Sequence, residues 1–222
     1  MAAISEQALS RYFEFRGALE AVGVLRREIG LPRTLRTLMA LEYRHLRGEP
    51  WAGLPEAGTE KERISRRQMG QVVILYRLLK EQIGPSRALE VARKVVKSSA
   101  IEFLSHVLPA LHRKDYEGLS AEDRAAKAAE LSQRIANAEA DVEVVGLERV
   151  DFTVRKCWFV ELSRQAEAPE LAGLFCAGDE GFFETRQPEI RFTRTLTLAQ
   201  NQGCCDMKLH WIEGVSPHAD HP

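Results

Sequence analysis

The sequence predicts an α+β protein, with an N-terminal helical layer followed by a small antiparallel sheet with two helices. Up to about residue 141, apolar residues recur at steps of three and four and Gly or Pro marks the breaks, which is typical of successive helices. From Val142 onward apolar and polar residues alternate, which indicates strands. We therefore expect a helical region, 1–141, a cysteine-bearing α+β region, 142–215, and a flexible tail, 216–222.

The helical periodicity of the first region is interrupted at Gly30, over 48–58 and at Gly84. Helices are expected to end at about residue 29, to begin again after Pro32, and to cover about 60–83, 86–108 and 120–141. The second helix is expected to bury its apolar side chains, Leu35, Leu38, Met39, Leu41 and Leu46. Ser120 followed by Asp123 predicts a capping box at the start of the last helix.

In the α+β region, Val150, Phe152 and Val154 share one face of a predicted strand. Two helices are expected next, over 156–166 and 169–186. Two antiparallel strands follow, over 190–198 and 204–212, and the loop 199–203 joins them.

The charge balance argues against two classes of partner. Lys and Arg number 31 and Asp and Glu number 32, so the net charge of -1 provides no positive field for nucleic acid or anionic lipid. Purely apolar stretches such as 72–75 are far shorter than the roughly 20 residues that a membrane helix needs. We expect a cytoplasmic protein with neither a nucleic-acid nor a membrane partner.

Two of the cysteines are spaced for contact with a carboxylate. Cys157 and Glu161 are four residues apart on one predicted helix, and Cys176 and Asp179 are three apart on the next. The structural alternative is that each cysteine packs as a small hydrophobe. A carboxylate that points into a core must be paired or functional, which makes these four residues candidate catalytic residues.

The predicted hairpin adds an arginine to these groups. Arg194 has the parity of Ile190 and Phe192, on the inward face of its strand, and a buried guanidinium requires carboxylates or an anionic ligand. Glu161 and Asp179 are the expected partners. The arrangement is either a structural ion-pair network or a clamp for a substrate carboxylate.

The last strand adds a third inward thiol, Cys205, which is a candidate catalytic residue. Phe183, one turn beyond Asp179, and Asp206 are further candidate substrate contacts. No cofactor is expected. Zinc or an iron-sulfur cluster held by Cys157, Cys176 and Cys205 is an alternative, although their spacing matches no CxxC signature.

Four ordered segments carry a family resemblance: 152–161 with its Cys and Glu, 169–179 with Pro-Glu-Leu before Cys and Asp, 191–199, and 203–209 with Gly-Cys-Cys-Asp. Over residues 142–212 the chain resembles the L-2-amino-thiazoline-4-carboxylic acid hydrolase family. It departs from the family pattern at Lys208, where Arg is commoner, and in the loop 198–203, where a glycine-richer turn is usual.

The resemblance implies a hydrolase that acts at the carbon-nitrogen double bond of a cyclic amidine, a 2-aminothiazoline carboxylate, and forms an N-carbamoyl cysteine. In that activity Arg194 holds the substrate carboxylate and Glu161 or Asp179 transfers protons. Cys205 or Cys157 attacks the amidine carbon or binds a metal that activates water.

Two other classes of protein stay open at this point. A similar α+β layout occurs in small-molecule-binding domains of the vinyl-reductase type, which bind a ligand without turnover. The second class is a metal or iron-sulfur protein, in which the thiols are metal ligands rather than nucleophiles. A homodimer is a further expectation, with Leu75, Tyr76 and Leu79 as its seam if these side chains are exposed.

Overall fold

The computed structural model describes residues 6–135 and 137–212, with side chains from residue 16 onward, and the tail expected over 216–222 lies outside the described residues. The described residues form seven α-helices and a four-stranded antiparallel sheet, which confirms the α+β class. They divide into two compact units. The first contains the described residues up to His106 together with Trp158–Asp179, and the second contains Val107–Cys157 and the described residues from Glu180 onward.

In chain order the elements are α1 (Glu6–Ile29), α2 (Leu31–Leu46), α3 (Glu60–Ile83), α4 (Pro85–Val107), α5 (Ala121–Arg134), β1 (Ala138–Val145), β2 (Arg149–Cys157), α6 (Trp158–Gln165), α7 (Cys176–Arg186), β3 (Ile190–Arg194) and β4 (Cys205–Trp211). Short 3₁₀ turns lie at Arg113–Tyr116, Pro169–Leu174 and Leu198–Gln200.

Helix α3 contributes many of the buried side chains of the first unit and packs against α2 and α6. The hydroxyl of Thr59 accepts the Glu62 N–H at 3.1 Å and so caps its first turn. Leu75 and Tyr76 are 5% exposed and Leu79 is fully buried, so these side chains form core and do not meet the condition for a dimer seam.

Helix α2 buries its expected apolar side only in part, since Leu38 and Leu41 are partly buried. The prediction that Leu35, Met39 and Leu46 are buried is wrong, because these side chains are exposed. The fully buried side chains of α2 are Thr34 and Thr37. The Thr34 hydroxyl donates to the Gly30 carbonyl at 2.8 Å, and the Thr37 hydroxyl accepts from the Gln82 side chain at 2.9 Å. Satisfied hydroxyls can be buried at little cost, and their small size lets α2 approach α3 closely.

In the second unit the strands follow the order β1-β2-β4-β3, and every neighbouring pair is antiparallel. Helix α5 packs against β1, and its predicted capping box is confirmed, with Ser120 and Asp123 bonded to each other's backbone N–H. The predicted antiparallel hairpin of the last two strands is also confirmed.

Four predicted boundaries are wrong. The helix expected from residue 156 begins at Trp158. Helix α5 ends at Arg134 rather than at 141, because alternating Ala or Val and acidic residues make Ala138–Val145 the edge strand β1. The single helix expected over 169–186 is a 3₁₀ turn followed by α7. The strand expected over 190–198 ends at Arg194, for a reason that the site geometry explains. None of the described helices carries an apolar run long enough to span a bilayer.

Candidate functional site

Cys205 opens β4 and places its thiol in the core of the second unit, where it is 8% exposed. The Sγ atom accepts the backbone N–H of Leu198 at 3.3 Å, and the S–H lies 3.8 Å from the Thr197 hydroxyl, which accepts it. Buried Ala138 and Val154 pack around the sulfur. The Leu198 N–H and the Thr197 hydroxyl thus hold the sulfur in a fixed position within this cluster.

Asp206, the next residue of β4, organises the turn that supplies this N–H. Its carboxylate accepts the N–H of Thr195 at 2.8 Å, the Thr195 hydroxyl at 2.5 Å and the N–H of Leu196 at 2.5 Å. Burial of the carboxylate opposes ionisation, but these hydrogen bonds prevail and lower the pKa of Asp206 below its ordinary value of 3.8.

These bonds explain why β3 ends early. The N–H groups of Thr195 and Leu196 bond to the Asp206 side chain, so the chain leaves the ladder after Arg194 and turns toward Leu198. Asp206, predicted as a substrate contact, therefore has the geometry of a positioning residue, since its oxygens hold the segment that reaches Cys205.

Arg194 faces inward as its parity predicted, and it is partly buried, with its side chain 10% exposed. Its Nη2 donates to the Glu180 carboxylate at 2.6 Å, a partner that was not among those expected from the sequence. The guanidinium lies 5.5 Å from the centre of the Phe192 ring, and that ring stacks on Phe183 at 5.3 Å. Phe183 thus lies beneath the arginine, in the second unit.

The ladder brings Arg194 and Cys205 to one face of the sheet. Arg194 is opposite Met207, and Cys205 precedes Met207 by two residues, so it has the same facing. Such diagonal neighbours have side chains about 7–8 Å apart at their origins. Val154 lies opposite Cys205 and Ala140 opposite Val154, which extends this face to β1.

An open groove of about 510 Å³ lies on the same face, between α5 and β1. Small side chains of α5 form one wall, and Val142 and Val144 contribute to the other. Ala140 both lines this groove and packs against the cluster around Cys205. The groove borders the cluster around Cys205 and is open to solvent over much of its extent.

Cys157 lies in this cluster, but not on the predicted helix. It is the last residue of β2, because α6 begins at Trp158, so the prediction that Cys157 and Glu161 share a helix face is wrong. Cys157 is partly buried and packs against the cluster that contains Cys205. The two thiols are thus gathered by the sheet rather than by helices.

The other predicted catalytic residues belong to the first unit. Glu161 lies in the first turn of α6 and is exposed, so it does not point into a core. Cys176 begins α7, and Asp179 follows one turn later, as predicted from their spacing. Both are partly buried.

A sequence model of the L-2-amino-thiazoline-4-carboxylic acid hydrolase family matches residues 62–209, more than half of the chain. The chain belongs to this family. The matched span begins within α3 and therefore includes much of the helical region, whereas the resemblance read from the sequence covered only 142–212. Neither a curated protein nor a solved structure matches the chain.

All of the candidate site residues of this L-2-amino-thiazoline-4-carboxylic acid hydrolase family member lie within the matched span. None of its four cysteines, all of which are described, forms a disulfide. Among the residues that the structure describes, no group of three or more His, Cys, Asp and Glu side chains is placed to hold a metal ion. Cys157, Cys176 and Cys205 are therefore not gathered into such a group.

Sequence reasoning missed the groups that complete the surroundings of Cys205 and Arg194. Thr197 and the N–H of Leu198 come from a segment that was expected to be strand, so their approach to the sulfur was not foreseen. Glu180, which bonds to Arg194, directly follows Asp179 in α7. The sequence does not show how α7 is rotated, so it could not indicate that Glu180 contacts Arg194. The polar spacing of Thr195 and Thr197 next to a Gly-Cys-Cys-Asp turn was the available signal.

Proposed function

We propose that this family member hydrolyses a small cyclic amidine that carries a carboxylate, such as a 2-aminothiazoline carboxylate, to an N-carbamoyl amino acid. Membership of the family supports the reaction class. The observation that carries the residue assignment is the thiol of Cys205, which meets the Leu198 N–H on the same sheet face as Arg194. We assign Cys205 as the nucleophile and Arg194 as the group that binds the substrate carboxylate.

Arg194 is suited to hold a carboxylate. Its guanidinium has five N–H donors in a planar fork, and this geometry matches the two oxygens of a carboxylate. The Phe192 ring under the guanidinium fixes the plane of the fork.

In the first half of the reaction the Cys205 thiolate attacks the carbon of the protonated amidine, and a carbon-sulfur bond forms as the carbon-nitrogen double bond becomes single. The ring carbon-sulfur bond then breaks. Its electron pair stays on the ring sulfur, which takes a proton from water, and the substrate is left attached to Cys205 as an isothiourea.

In the second half a water molecule adds to the same carbon. The bond to the Cys205 sulfur breaks, the thiolate is regenerated, and the carbon keeps the water oxygen as a carbonyl. The net change is the addition of one water to the substrate, which gives an N-carbamoyl amino acid with a released thiol. The Leu198 N–H stabilises the thiolate before attack and again as it leaves.

The test is an assay of 2-aminothiazoline-4-carboxylate and related cyclic amidines, with the N-carbamoyl product measured by mass spectrometry. Cys205→Ser is expected to lower kcat by at least about a thousandfold, because an alkoxide forms far less readily than a thiolate. Cys157→Ser is the matched control, since Cys157 packs in the same cluster but receives no such assignment, and it is expected to stay within about threefold of wild type. An inactive Cys157→Ser beside an active Cys205→Ser would reverse the assignment, and ligand binding without any turnover would favour a binding protein.

A second assay examines Arg194. Arg194→Leu is expected to lower kcat/KM for the carboxylated substrate by at least about a hundredfold, mostly through KM, because the anion loses its cationic partner. The matched control is 2-aminothiazoline without the carboxylate. Its turnover is expected to be the same in the variant and in wild type. Equal losses on both substrates would show that Arg194 supports the fold rather than the substrate.

A further inference from the structure

Helix α2 presents its large apolar side chains to solvent. The exposed fractions are 51% for Leu31, 53% for Leu35, 75% for Met39, 61% for Tyr43 and 76% for Leu46. A helix on the surface of a monomer normally turns most of its large apolar residues inward, whereas α2 turns only Leu38 and Leu41 partly inward, beside the buried Thr34 and Thr37, and leaves these five exposed. This face has the character of an interaction surface, rather than of a set of isolated exposed residues.

The arrangement of these residues is typical of helix packing. Leu31, Leu35, Met39 and Tyr43 are spaced by four, so they form one continuous ridge along α2, and Leu46 extends it. Interlocking ridges of this kind are the usual contact between two packed helices. The partner should therefore present a helix with a ridge of similar spacing.

The charges beside the ridge differ between its two sides. Glu42 is seven residues after Leu35 and four before Leu46, so it lies on one side. Arg36 and Arg47 lie on the other side, and all three charged residues are exposed. Arg47 extends back along the helix, since its Nη1 donates to the Tyr43 hydroxyl at 3.0 Å, and its guanidinium is thus nearly level with Glu42.

We propose that α2 packs against α2 of a second copy of this chain, in parallel orientation about a twofold axis along the helices. Such an axis exchanges the two sides of the ridge, so Glu42 of each copy faces the Arg47 side of the other. Pairs five residues apart across two parallel helices are the usual interhelical ion pairs. An antiparallel pair would place Glu42 against Glu42 and the arginines against each other.

The size of the contact is sufficient for a pair. The five exposed side chains present on the order of 500 Å² of apolar surface in each copy. Two copies then bury on the order of 1,000 Å², the size at which specific interfaces begin.

Sedimentation equilibrium of the full chain over a micromolar concentration series tests this proposal. Wild type is expected to approach twice the chain mass of 25.0 kDa. Met39→Glu is expected to weaken the dimer at least about a hundredfold, with an unchanged circular dichroism spectrum. The control is Ile212→Glu, at an exposed apolar side chain outside α2, which should dimerise as wild type does. A wild type that stays monomeric throughout, or a Met39→Glu variant that dimerises normally, overturns the proposal.

Two further measurements test orientation and partner. Glu42→Arg and Arg47→Glu are each expected to weaken the dimer, and the double exchange is expected to restore it. Leu46→Cys should form a disulfide between copies if the helices are parallel, whereas an antiparallel pair would separate these positions by about 20 Å. Failure of the double exchange together with no disulfide between copies of the Leu46→Cys variant overturns the parallel pairing. Binding of a monomeric wild type to phosphatidylserine vesicles, lost in Met39→Glu, would assign this face to a membrane instead.

Discussion

Helix α3 and the turn after β3 are held by different kinds of interaction. Helix α3 has consecutive fully buried residues, such as Val73 and Ile74. Its stability therefore comes from many weak apolar contacts. The turn depends on a single carboxylate, Asp206, whose three hydrogen bonds fix Thr195 and Leu196. A substitution in α3 is therefore expected to destabilise its whole unit. A substitution in the turn is expected to act locally, on the segment beside Cys205.

The largest expected effect is in α3. Leu79→Ala is expected to lower the free energy of unfolding by about 2–5 kcal/mol, because Leu79 is fully buried and the shortened side chain leaves a cavity. Leu19→Ala is the matched control, since Leu19 is a helical leucine that is 52% exposed, and it should change stability by less than about 0.5 kcal/mol. Urea denaturation measures both. Equal losses of unfolding free energy in the two variants would contradict the conclusion that buried contacts of α3 stabilise the first unit.

The same two regions show what the sequence could and could not predict. The bounds of α3, Glu60–Ile83, were predicted correctly because the glycine- and proline-rich segment 48–58 and Gly84 are local signals at its ends. The inward facing of Cys205 and Arg194 followed from strand parity. The end of β3 could not be predicted from the sequence. The hydrogen bonds that end this strand join residues 10 and 11 positions apart, and such bonds leave no periodic pattern in the sequence.

Helix α2 shows a further limit. Its apolar periodicity correctly predicted an amphipathic helix but not which side faces the protein. Burial of Thr34 and Thr37 is favourable because their hydroxyls are satisfied by the Gly30 carbonyl, four residues earlier, and by the Gln82 side chain of α3, and only the second partner is set by tertiary structure. A periodic pattern thus shows that a helix has an apolar and a polar face, but tertiary packing decides which residues are buried.

An intermediate effect is expected in the turn. Asp206→Asn keeps the shape of the side chain but removes the charge that accepts three hydrogen bonds, so unfolding should become easier by about 1–3 kcal/mol near neutral pH. Activity on the proposed substrate should fall as well, since the Leu198 N–H is no longer held at Cys205. The matched control is Asp141→Asn, at an exposed carboxylate paired with Arg155, where a change below about 0.5 kcal/mol is expected.

The pH dependence of the Asp206 variant follows from its hydrogen bonds. The folded-state pKa of Asp206 lies below the ordinary 3.8, so its contribution to stability is complete above 3.8 and is lost as pH falls through the lowered value. Asp206→Asn should therefore flatten this acid limb of the stability curve. If wild type and variant lose stability in parallel below pH 3.8, the carboxylate does not hold the turn, and the contrast between the turn and α3 fails.

The smallest expected effect is on the outer face of the sheet, at His210. Arg149 and Arg191 lie directly opposite His210 on the two neighbouring strands. Burial, followed by these arginines and Lys208, lowers the pKa of His210 below 6.5, and the attraction of Asp151 only partly opposes them. The neutral ring is thus favoured by folding. Its contribution is complete above pH 6.5 and is lost as pH falls through the lowered value.

His210→Gln should therefore reduce the loss of stability on mild acidification, and Arg191→Gln should raise the pKa of His210 toward 6.5, as followed by NMR titration of the ring. A His210 that titrates above 6.5 in wild type would mean that Asp151 outweighs three cations, contrary to the register of the sheet. Neither variant should alter turnover, because His210 and Cys205 lie on opposite faces of β4 and the turn beside Cys205 is anchored by Asp206.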